Sequence, residues 1–186
     1  MNRANIATFH PEATAQRKKL HAIFRKAGSD VAALALLQIF CFSILAYLEP
    51  RFVLIHFYQL IPYVAIVLLI AQDQQRWAYM IGPLVSLGWL GLAYWAGLLY
   101  WAVEQLRGMD ALYSTATLVA LLAVLTALIA IVMTFRCRFQ WLKADASHEP
   151  SYRIFFATAA LVATYYWILI RWFWDVVLKV RYPVSL

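Results

Sequence analysis

The sequence predicts an all-α integral membrane protein, a bundle of four to five transmembrane helices preceded by an interfacial amphipathic helix. Three observations predict it. The 186 residues are 65% apolar and only 13% charged, far from a soluble average. Five apolar runs, 31–48, 52–71, 77–103, 112–135 and 154–170, take up most of the chain. The runs are apolar on all faces, unlike the alternating ten-residue segments of a membrane β-barrel.

A helix rises about 1.5 Å per residue, so roughly 20 residues cross the hydrocarbon core. The second and fourth runs have that length. The third is long enough to tilt or to reach the headgroups. The first and fifth are short and lean on their flanks.

Residues 1–30 read as a basic tail. Within it, 11–27 form an amphipathic helix, with Pro11 suited to a first helical position. Leu20, Ile23, Phe24 and Ala27 share one face, and Arg17, Lys18, Lys19, Arg25 and Lys26 cover the rest. Such a helix lies in the interface with its base over anionic headgroups. Gly28-Ser29-Asp30 then reads as a break, with Ser29 or Asp30 capping the first span.

Glu49-Pro50-Arg51 predicts a tight turn, and the second span returns through Pro62, which removes a backbone donor and predicts a kink. Residues 72–76 make the opposite turn. Gln38 and Gln59 fall at comparable depth on the two arms and are placed to bond each other.

On the third span, Gly82, Ser86, Ala93 and Gly97 fall in one narrow sector, continued by Tyr100 and Glu104. Gly88 and Gly91 lie on the opposite side. Small residues let another backbone approach closely. The fourth span repeats the pattern: Ala116, Ala120, Ala123, Ala127, Ala130 and Thr134 form a seam of small residues at heptad-like spacing. These two faces are expected to pack together, closing a four-helix core over 31–135.

Residues 136–152 form a basic and aromatic link, from Arg136 to Lys143 and on to a polar segment. The last unit, 153–186, holds a fifth helix rich in Tyr and Trp. Arg171 and Asp175 stand at ion-pair spacing on it. It is expected to span, because 154–170 carries no charge, although Arg171, Lys179 and Arg181 then fall outside; the alternative is a helix lying along the cytoplasmic interface, which obeys the charge rule fully.

The excess of base, 16 Lys and Arg against 9 Asp and Glu, is not a nucleic-acid signal, because its position matters more than its size. Eleven basic residues fall in the tail and in the loops after the second and fourth runs, and two in the loops after the first and third. That places the N-terminus in the cytoplasm. A bacterial inner or intracytoplasmic membrane is the expected location. Cys41 and Cys137 fall at different depths, so no disulfide is expected.

His56 is the one histidine inside a span. Imidazole ligates haem iron or pigment magnesium, and an ionisable intramembrane group is a functional candidate. The plainer reading is an interfacial hydrogen bond near the turn. His10, His21 and His148 fall on the opposite side, which argues against a bis-histidine haem within one chain. Glu104 and Arg107 read as a surface pair. No phosphate-binding glycine loop or nucleophile–base pair is present, so catalysis is not expected.

The first expectation for function is therefore a non-catalytic subunit of a larger membrane assembly, such as a photosynthetic or respiratory electron-transport complex. Its partners are lipid and other membrane subunits, and pigment, haem or quinone could sit at subunit interfaces. The second is a small oligomeric transporter or channel, which needs a polar midplane site or discontinuous helices. The third is direct pigment, haem or quinone binding through His56.

Overall fold

The structure, a computed structural model, describes residues 11–108, 114–145 and 152–174, with side chains over 28–108, 114–142 and 152–174. Six α-helices follow in order: α1 (Pro11–Leu48), α2 (Val53–Ala71), α3 (Gln75–Trp95), α4 (Leu98–Arg107), α5 (Thr115–Asp145) and α6 (Tyr152–Trp172). No strand occurs among the described residues. The segments Gly28–Leu48, Pro50–Ala71, Thr115–Leu142 and Tyr152–Trp172 are each long and apolar enough to cross a bilayer. The pair α3–α4 makes a fifth, broken by a 66° bend. The chain is an all-α membrane bundle.

The first departure from the sequence reading is at 28–30. The helix predicted over 11–27 is present, but it runs unbroken into the first span. Gly28 serves close packing instead of termination. A Cβ there would meet Gln75 Nε2 at 3.3 Å and Ile70 Cγ2 at 3.4 Å, so α1 presses against the α2–α3 turn. The orientation of Arg17, Lys18, Lys19, Arg25 and Lys26 lies outside the described side chains.

Helices α1 and α2 form the expected antiparallel hairpin through a single 3-10 turn, Pro50–Phe52. At the other end, Gln72, Asp73 and Gln74 donate to the carbonyls of Leu68, Ile70 and Leu69, so the end of α2 is capped by its own turn. Asp73 takes a left-handed φ of 58° there. Pro62 stands inside α2 without interrupting it. The core between α1, α2, α3 and α5 is built on Phe42, Tyr63, Ile66, Val85, Trp89 and Met133. Phe42 packs on Tyr63 at 5.9 Å and edge-on to Trp89 at 6.0 Å.

The second departure is in the third run, which is not one helix. Gly97 adopts φ 76°, a left-handed conformation that costs glycine nothing, and the chain turns there into α4. At 21 residues α3 already has the length of a span. The ten residues of α4 therefore fold across the end of the bundle, with Ala102 buried on Ala120 and Ala123 of α5. Tyr100 and Glu104 face outward, and Glu104 pairs with Arg107 at 3.0 Å.

Helix α5 starts at a Ser114 cap, whose Oγ accepts from the Thr117 N–H at 3.1 Å. It continues through the basic and aromatic segment to Asp145, where a separate link was expected. Helix α6 lies beside α3 and runs in the same direction: Tyr166 sits at Gly88, and Trp174 contacts Trp95 at 5.3 Å. That is the packing of a crossing helix, not of one lying across the end. Asp175, the expected partner of Arg171, lies outside the described residues.

Candidate functional site

The small residues singled out in the sequence divide between two contacts of α5: Ala127 and Ala130 join the seam with α3, and Ala120 and Ala123 pack on Ala102 of α4. Gly82, Ser86 and Ala93 are buried on α3. Ala120, Ala123, Ala127 and Ala130 are buried on α5, and Ala116 is half-buried. At Gly82 the approach is so close that a Cβ would lie 2.6 Å from Cys137 Sγ. Gly97 is not part of this seam; it is the hinge. On the other face of α3, the Tyr166 ring lies over Gly88 and its hydroxyl donates to the Val85 carbonyl at 2.6 Å. Cys41 and Cys137 are both free and buried.

Where α3 breaks, the bundle does not fill. A cavity of about 100 Å³ lies beneath the hinge, with Ala96 and Leu98 on its rim and Phe42, Trp89 and Thr126 deepest inside. Glu49, His56 and Gln59 supply its polar wall. The tight α1–α2 turn brings Glu49 to His56, with Oε2 and Nε2 3.3 Å apart. His56 Nδ1 is buried and has no partner among the described residues. A buried ring nitrogen in that state is short of one hydrogen bond.

The cavity is far smaller than the roughly 300–1,000 Å³ of pockets that take drug-sized ligands. It does not fit a porphyrin or chlorophyll ring beside His56. At about 30 Å³ per molecule in the liquid, it has room for roughly three waters. No group of three or more His, Cys, Asp or Glu side chains among the described residues is arranged to hold a metal ion.

The expected Gln38–Gln59 pair does not form. Gln38 reaches α5 instead, where its Nε2 donates to the Thr126 carbonyl at 3.3 Å, and Gln59 faces the cavity. The physical reason is register along α2: Gln59 lies one turn nearer the Glu49 end, at the cavity, and Tyr63 on the same face stands beside Gln38 instead. Tyr63 Oη sits beside both the Gln38 amide and the Ser86 hydroxyl. Gln38 Oε1, Tyr63 Oη and Ser86 Oγ are all buried without a hydrogen-bond partner among the described residues.

Sequence reasoning missed Glu49, Tyr63 and Thr126. Glu49 read as a turn residue, although the turn is too short to keep it away from His56. Tyr63 follows Gln59 by four residues and shares its face. Thr126 stands beside the alanine seam between Ala123 and Ala127. No family model, no curated protein and no solved structure matches the chain.

Proposed function

We propose that the protein is a small membrane transporter or channel that admits a small solute at the end of the bundle carrying Glu49 and His56. One observation carries this reading: the cavity beneath the α3–α4 break, with its polar wall of Glu49, His56 and Gln59. Solute sites in membranes form where a few polar side chains converge on a cavity beside irregular backbone, and here Glu49, His56 and Gln59 do so in a mainly apolar wall beneath the α3–α4 break. The asymmetry of positive charge supports a cytoplasmic N-terminus, so this end faces outward. Toward the other end, the contact of Gly82 with Cys137 and the buried Met133 leave α3 and α5 tightly closed.

The test is flux into liposomes reconstituted with the purified chain. Stopped-flow light scattering would follow water, formamide, urea and glycerol, and a pH dye and a potassium electrode would follow ions. Permeability above protein-free vesicles for at least one solute is the expected result. Equality with protein-free vesicles for all of them would remove the reading.

A second reading, a non-catalytic subunit of a larger assembly such as an energy-transducing complex, is favoured by α6. Only 17% of its span is buried within the chain, against 44% for α5. Gentle extraction from the native membrane separates the two. Stoichiometric co-migration with other subunits supports the second reading, and a lone homo-oligomer removes it.

A further inference from the structure

The buried polar atoms at the centre of the bundle have a different location from the cavity and a different consequence. Gln38, Tyr63, Ser86 and Thr126 come from four helices, each from near the middle of its span. Gln38 and Ser86 are fully buried, and Tyr63 is 1% exposed. Tyr63 Oη lies beside the Gln38 side chain and the Ser86 hydroxyl, yet Gln38 Oε1, Tyr63 Oη and Ser86 Oγ have no partner at hydrogen-bond geometry among the described residues. In hydrocarbon an unmet polar group has no water to turn to, so each such atom costs stability. Here three such atoms, from α1, α2 and α3, are buried together.

We propose that Gln38, Tyr63 and Ser86 bind a neutral, hydrogen-bonding molecule of about the size of water at the middle of the bundle. The donor and acceptor inventory sets the ligand's chemistry. Gln38 Oε1, an amide oxygen, only accepts, and one of the two amide hydrogens is already given to the Thr126 carbonyl. The two hydroxyls either donate or accept. The ligand must therefore donate to Gln38 and exchange bonds with Tyr63 and Ser86, as water or a small amide or alcohol does. An ion is disfavoured: α1 over 31–48, α2 over 53–71, α3 over 77–95 and α5 over 115–135 carry no Asp, Glu, Lys or Arg to balance it.

The site also stands in line with the cavity. Gln38, Ser86 and Tyr63 each lie one helical turn from a cavity-lining residue, Phe42, Trp89 and Gln59 respectively. The inference deepens the pathway reading by naming its solute class, and it rests on that reading for its connection to flux. Occupancy itself does not depend on flux.

Hydroxyl-radical footprinting by X-ray radiolysis tests occupancy directly, because radicals formed from bound water oxidise the side chains that touch it. In the full-length protein in nanodiscs, Tyr63 is expected to be oxidised several-fold faster than Tyr166. Tyr166 is the control: its hydroxyl already has a partner and its ring faces an apolar groove. Ser86→Ala is expected to lower the Tyr63 rate several-fold, and Gln38→Leu provides a second removal if the first leaves the water in place. Tyr63 oxidised no faster than Tyr166 would overturn the proposal, whatever the flux. Rapid oxidation of Tyr63 without flux in liposomes would uphold the site and remove the transport reading.

Discussion

The hydroxyl of Tyr165 on α6 donates to the backbone carbonyl of Tyr58 on α2 at 2.6 Å. That carbonyl is the one Pro62 leaves without its helical donor, since an α-helix bonds residue i to residue i−4 and proline has no N–H. The rings of Tyr58 and Tyr165 stack at 4.7 Å, and Tyr58 returns a longer hydrogen bond to the Tyr165 carbonyl at 3.4 Å. The proline expected to kink α2 thus provides the acceptor that fastens α6. Removing the hydroxyl with Tyr165→Phe is expected to destabilise the protein by about 1 kcal/mol. Pro62→Ala restores the helical donor, so the same change in that background is expected to cost less. Thermal unfolding of the four proteins in one detergent measures the coupling, and equal costs in both backgrounds would refute the link.

The glycines of α3 are expected to respond differently to the same methyl group. At Gly88 a Cβ would collide with the Tyr166 ring, so Gly88→Ala must displace the ring and its bond to Val85. Overpacking of this kind costs about 1–3 kcal/mol. At Gly91 nothing lies within 4 Å, so Gly91→Ala is expected to be neutral or to stabilise by up to about 1 kcal/mol through helix propensity. Melting temperatures that fail to separate the two variants would contradict the packing of α6 on α3.

Gly82→Ala places its methyl 2.6 Å from Cys137 Sγ. The same clash is relieved by shortening the opposite side chain, so Gly82→Ala is expected to lower stability and Gly82→Ala with Cys137→Ala to recover most of it. Denaturation of the single and double variants reads this directly. A double variant as unstable as the sum of the two singles would show that the seam is not in contact there.

Gly97 is the hinge, and its left-handed φ is costly for any residue with a Cβ. Gly97→Ala is expected to cost about 1–2 kcal/mol, and Gly97→Asn less. If the hinge holds α4 over α5, cysteines placed at Ala102 and Ala120 cross-link readily in the parent and more slowly in Gly97→Ala. Identical cross-linking in both would mean that the bend does not depend on Gly97.

The spans were legible because lipid imposes a length and an apolar composition, and both are counted along the chain. The burial of the small residues was legible for a similar reason: Gly82, Ser86 and Ala93 on α3 and Ala120 to Ala130 on α5 keep a fixed phase over several turns, but that phase did not report that Ala120 and Ala123 meet α4. What stayed hidden depended on backbone conformation at single residues. Gly97 shares the phase of the small-residue stripe, so its spacing alone reads as packing. Gly28 is followed by two capping residues, so its composition alone reads as a break. The cavity and the midplane cluster were hidden for another reason. They arise where four helices meet, and no local pattern reports which of Gln59 or Tyr63 turns toward Gln38.

The most direct test of the central claim is solute flux before and after blocking the cavity. Gln59→Cys, in a chain with Cys41 and Cys137 changed to Ala, places one thiol on the cavity wall. A membrane-impermeant methanethiosulfonate reagent is then added from the side facing Glu49. The account predicts measurable flux through the unmodified variant and a several-fold fall on modification. Flux that persists unchanged after complete labelling of Cys at position 59 would show that the solute does not pass this cavity.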